Sequence, residues 1–186
     1  RTPPPAEGKN LMDQTDVGLK SVVKALIDTV APAIDPSDHL AKEQLRLAAS
    51  YVDFVRQRLL LVHSRERYDL RHYLGLSQAF LGFGLPEPSP VVEALRAATE
   101  AARPLADDPA APTGQIRAAA IDLAHAVAGI VQAAHAEWAA PELARRIDRA
   151  VLSATEDKFE MELLWYQPVG FDPSPRKDKT LEDFLG

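Results

Sequence analysis

The sequence predicts an all-α fold: an antiparallel helical bundle of about five helices over residues 13–166, with an extended Pro-rich arm over 1–12 and an extended tail over 167–186. Three observations lead there. Apolar residues recur at steps of three and four along most of the chain, the period of helices that bury one face. No run alternates apolar and polar residues with period two, so nothing reads as a strand. Proline and glycine gather in a few short stretches that punctuate the helical text.

Each element follows from its residues. The opening "RTPPPAEG" places three prolines together in a polar setting, which suits an extended arm. From Asp13 the text turns helical, with Leu19, Val23, Leu26, Ile27 and Val30 on one face. A stop is expected near Ala31, because Pro32 disfavours helical geometry in the residue before it. "IDPSDHL" is a start signal in which Asp35 caps, Pro36 takes the first helical position and Asp38 adds negative charge at the positive end of the helix dipole. Two adjacent apolar seams follow: Leu45, Ala48, Val52, Val55, Leu59 and Val62, and beside them Leu40, Leu47, Tyr51, Phe54 and Leu61. Together they make the wide stripe of a central bundle helix.

"GFGLPEPSP" breaks the pattern, after which Ser89 caps a helix with Pro90 at its first position and Val91, Val92, Leu95, Ala98, Ala102 and Leu105 facing inward. The loop "ADDPAAPTG" ends at Thr113, expected to cap a helix carrying Ile116, Ala120, Leu123, Val127, Ile130, Ala134 and Trp138. Pro141 opens the last helix, with Leu143, Ile147, Val151, Ala154, Met161 and Trp165 inward. Beyond Pro168 the period is lost, although "LEDFLG" offers Leu181, Phe184 and Leu185 for docking on the body or on a neighbouring subunit.

One stretch raises a chemical question. "HSRERYDLRHY", residues 63–73, lies between two strongly apolar segments. In a helix unbroken from Pro36 to Phe83, the first seam runs on through Glu66, Asp69 and Tyr73, and the second through Arg58, Arg65, Tyr68 and His72. The result is an inward polar belt. A break near Ser64 would instead leave the charges in solvent. The length argues for a break, since such a helix would extend roughly 70 Å. The lack of glycine and proline between 37 and 74 argues against one.

If the belt faces inward, Arg58, Arg65, Tyr68 and Tyr73 are candidates to hold a small anionic ligand. Glu66, Asp69 and His72 are candidates to hold a metal, since an acid and an imidazole three residues apart share a helix face. The plainer expectation is a half-buried ion-pair cluster, such as Arg65 with Asp69, with Lys158 on the last helix either snorkelling or meeting these carboxylates. Asp122 and His125 repeat the acid–imidazole spacing but point away from their helix's apolar stripe, as a surface pair would. His39 and His63 are expected in solvent or at caps, and His135 at a helix boundary.

Composition excludes several classes. With no cysteine the chain can form no disulfide, thiolate metal site or cysteine nucleophile. A net charge of −6, with basic residues spread out apart from the Arg-rich stretch 63–73, argues against nucleic acid. No uninterrupted apolar run reaches the ~20 residues of a membrane span, and the N-terminal residues lack a signal-peptide core, so a cytoplasmic location is expected. Phosphate-loop, dinucleotide and nucleophile-elbow motifs are missing, and the sequence leaves the cofactor unknown. The alanine-rich stretch from 94 to 140 suits close helix contact or a subunit interface, hence a homodimer. The leading expectation is a protein that works through self-association or a protein partner, without catalysis. The alternative is a bundle enzyme or small-ligand-binding protein built on the polar belt.

Overall fold

The structure is a computed structural model and describes residues 11–170 and 179–186. It is all-α, with no strand among the described residues. The helices are α1 (Leu11–Ala25), α2 (His39–Arg58), α3 (Val62–Leu81), α4 (Pro90–Asp107), α5 (Thr113–Ala136), α6 (Pro141–Tyr166) and the short α7 (Glu182–Leu185). Most of the expected arm, and the tail segment 171–178, lie outside the described residues. The described residues form two compact units, 11–60 with 166–170 and 61–165 with 179–186.

The first unit is a helical hairpin. α1 does not stop at Ala31. It runs through a π-helical turn, Leu26–Val30, into Ala31–Ala33, and extended backbone begins only at Ile34. The N–H of Ala31 donates to the carbonyl of Leu26, five residues back. That wider turn shifts the bonding register ahead of Pro32, which has no N–H and would crowd the carbonyl of an ordinary helical turn. The entry to α2 also differs from expectation. Asp35 accepts from the N–H and hydroxyl of Ser37 at 2.8 and 2.7 Å, so it shapes a turn around Pro36. Asp38 is the cap, accepting from the Ala41 N–H at 2.9 Å.

Arg56 ties the hairpin together, donating to Asp53 on its own helix at 2.9 Å and to Asp16 on α1 at 2.8 Å. The Arg56 guanidinium holds the Asp53 carboxyl below its ordinary range, burial opposing and Gln57 assisting. The core here is thin. Among the described residues of this unit only Ala49 and Phe54 are buried, with Phe54 stacked on Tyr166 at 5.6 Å.

The second unit has a substantial core. Leu76, Phe80, Val92, Leu95, Val127, Ile130 and Ile147 meet in one cluster drawn from α3, α4, α5 and α6. Leu70, Leu74, Ala102, Ile116, Ala120 and Leu123 form a second. α5 is long and apolar enough to cross a membrane by length and composition. Its apolar stripe is buried against α3 and α4. α6 joins the first of these clusters through Ala144 and Ile147.

Ser89 and Pro90 open α4 as expected, but the Ser89 carbonyl, accepting from Val92 and Glu93, completes the first turn without its hydroxyl. Thr113 begins α5, and its hydroxyl meets His63 Nδ1 at 2.8 Å. His63 is therefore a partly buried bridge between α3 and α5, neither solvated nor a cap. The tail is not wholly extended: Gln167–Val169 forms a 3₁₀ turn, and α7 docks on α3 with Leu181 buried.

Candidate functional site

Residues 63–73 are helical throughout. Of the two readings the sequence left open, the break near Ser64 is absent; a 3₁₀ turn interrupts the pattern earlier, at Leu59–Leu61. The charged residues of this stretch are good helix formers, and nothing in it breaks the ladder.

The polar belt welds α3 to α6. Arg65 reaches Glu162 at 2.5 Å and lies 3.8 Å from Asp69. Lys158 bonds Asp69 and sits 3.6 Å from Glu162. Two cations thus face two carboxylates, and each side chain is less than a third exposed. Aromatic faces complete the enclosure, with the Arg65 guanidinium 4.5 Å over Trp165 and the Lys158 ammonium 5.6 Å from the Tyr73 ring. This charge-balanced cluster holds two helices together.

The three acid and imidazole candidates part company for a geometric reason. Positions three residues apart on a helix precess by about 60°, so Glu66, Asp69 and His72 look in successive directions. Glu66 turns to Arg117 on α5 at 2.7 Å, Asp69 to Lys158 on α6, and His72 packs edge-on against Tyr73 at 4.9 Å. No group of three His, Asp or Glu among the described residues is placed to hold a metal ion. Of the expected ligand residues, Arg65 and Tyr73 are enclosed in the belt, and Arg58 belongs to the first unit, 6.0 Å over Phe54. Tyr68 alone lines an open groove.

That groove lies between α3 and α6 and has a volume of about 600 Å³. Tyr68, Arg71 and His72 line one end with Ser153 and Asp157 opposite, while Gly75, Leu76, Ala79, Ala150 and Ala154 line the other. Phe184 of α7 closes the polar end, edge-on to Tyr68 at 6.2 Å. Asp122 and His125 are exposed on a separate concavity of about 530 Å³ between α4 and α5, walled mainly by alanine.

Sequence reasoning missed Arg117, Glu162, Asp157 and Ser153. The four-residue spacing of Lys158 and Glu162 was a readable signal, whereas Arg117 carried none. Arg67 was also missed: it donates to the carbonyls of Ala106 and Asp108 at 2.9 and 2.7 Å, satisfying the end of α4.

Burial and neighbouring charge set the protonation of the groove. Burial first, then the Lys158 ammonium, pushes the His72 imidazole below its ordinary 6.5, with Asp69 opposing. Burial, then Asp157, Asp69 and Glu162, push the Tyr68 phenol up to about 12. Both groups are neutral at pH 7. Because the folded pKa of His72 is depressed, its contribution is fully present above the unfolded value and is lost as pH falls through the folded one. Stability is therefore expected to decline on acidification below 6.5, and His72→Gln should flatten that part of the profile. Thermal unfolding of both proteins across this range checks it; parallel profiles would refute it.

No protein-family model, curated protein or solved structure matches the chain.

Proposed function

We propose that the chain acts by association, without chemistry of its own, and that its first unit pairs with the same unit of a second copy. The observation that carries this is an outward apolar seam on α2: Leu40 is 71% exposed, Tyr51 61% and Leu47 47%. These positions continue to Phe54 at coiled-coil-like spacing, and such seams are ordinarily covered by another helix. A hairpin that buries only Ala49 and Phe54 among its described residues has little core of its own. A second hairpin would supply the missing half of a four-helix arrangement.

A second copy suits the charges. Glu43 and Arg46, paired at 2.7 Å, flank the seam, so it presents both signs to a two-fold-related partner. Beside it Leu47 and Tyr51 border a concavity of about 540 Å³ with Pro168 and Val169, which can receive a partner's side chain.

Light scattering and sedimentation test the reading. The expected result is a dimer whose dissociation constant rises about thirtyfold or more on Leu47→Lys, while Ala126→Glu in the alanine-walled concavity leaves it unchanged. A monomer at all concentrations, or dissociation by Ala126→Glu alone, would overturn it.

A further inference from the structure

We infer that the groove between α3 and α6 binds an amphipathic carboxylate, its head held by Arg71, Tyr68 and His72 and its apolar body lying along Gly75, Ala79, Ala150 and Ala154. The inference is independent of the association proposed above.

Around this groove Arg65 and Lys158 are matched by Asp69 and Glu162, and Lys179 bonds Glu160. Arg71 is exposed, lines the groove and has no ion-pair partner among the described residues. Tyr68 and His72 beside it make ring contacts but no hydrogen bond with a described residue. One cation and two neutral donors therefore converge on one end of an open groove. The acid on that rim, Asp157, is 76% exposed, so solvent and salt screen its repulsion of an anion. A single arginine with neutral donors suits a monoanionic carboxylate better than a phosphate dianion, which favours several cations.

Polarity is segregated along the groove. From Arg71 to Ala79 the helix advances about 12 Å, and the lining changes from polar groups to Gly75, Leu76 and Ala79 facing Ala150 and Ala154. A charged head attached to an unbranched apolar body follows the same order. Its apolar part would displace water from a floor of small side chains.

Gly75 lies on the groove wall. Glycine in a helix interior is unfavourable relative to alanine, and here packing does not demand it, since a Cβ at this position meets nothing within 4 Å. The missing side chain opens into the groove. A larger residue would fill the trough and leave the helix intact.

Calorimetric titration of the full chain with decanoate, and with decylammonium and decanol as controls, tests the proposal below the micellar range of each. Saturable one-to-one binding of decanoate is expected, at least about tenfold tighter than either control. Arg71→Gln should weaken it about tenfold or more without moving the unfolding midpoint, because the side chain is exposed. Gly75→Leu should abolish binding while helicity and unfolding midpoint are retained. The proposal is overturned if decanoate does not saturate, if decanol or decylammonium binds equally well, or if both folded variants bind like the parent. Repeating the titration with Leu47→Lys separates ligand binding from association.

Discussion

Phe80→Ala is expected to destabilise the second unit by about 3–5 kcal/mol. Phe80 is fully buried near the C-terminal end of α3, where Val92 and Leu95 of α4, Val127 and Ile130 of α5, and Ile147 of α6 share one cluster with it. Truncation removes the transfer energy of an aromatic ring and leaves a void that four helices would have to close together. Collapse of three fixed neighbours is limited, so the loss should lie at the upper end of core truncations. Phe80→Leu keeps much of the volume and should cost far less. Both tryptophans, Trp138 and Trp165, lie in this unit, so urea unfolding followed by fluorescence reports on it. A loss below about 1 kcal/mol would show that this cluster is not the common core of the four helices.

Much of this core was readable from the chain because its causes are local. Pro90 and Pro141 open helices since their fixed φ suits a first turn. Ile116, Leu123, Val127 and Ile130 are buried where a 3.6-residue period places them. Two local readings failed through competition that propensity does not resolve. Asp35 and Asp38 are both competent caps, and Ser37 decided between them by bonding Asp35. Pro32 was tolerated because a π-helical turn moved the ladder ahead of it.

The division into two units was hidden for a different reason. The apolar register runs unbroken from Leu45 to Val62, across the 3₁₀ turn at Leu59–Leu61 where the units part. Periodicity records which face of a helix is apolar. It does not record which neighbour covers it. The same limit applies to the belt. Its inward direction was one of the two readings that spacing allowed, since Glu66, Asp69 and Tyr73 continue an apolar seam, and the Lys158–carboxylate pairing was likewise among the options. The precession that sends Glu66 to α5 and Asp69 to α6 acquires meaning only once those helices are in place.

That arrangement leads to the second large effect: Asp69→Ala should cost the second unit about 2–4 kcal/mol, and Lys158→Met introduced into it should recover part of the loss. With Asp69 gone, the Arg65 and Lys158 cations face the Glu162 carboxylate alone in a site where the wild-type side chains are only 15–28% exposed. Removing the surplus cation relieves that imbalance, and methionine keeps an apolar stem against the Tyr73 ring. Urea unfolding of the four proteins closes the cycle. Coupling of about 1 kcal/mol or more is expected if the charges act as one network, and strictly additive losses would mean that Asp69 and Lys158 are mere neighbours. The groove supplies a second readout. The belt fixes how far α6 stands from α3 beside His72, so Asp69→Ala under conditions where it remains folded should also weaken decanoate binding, although no belt carboxylate lines the groove. Unchanged affinity in a folded Asp69→Ala protein would show that the groove keeps its shape without the weld.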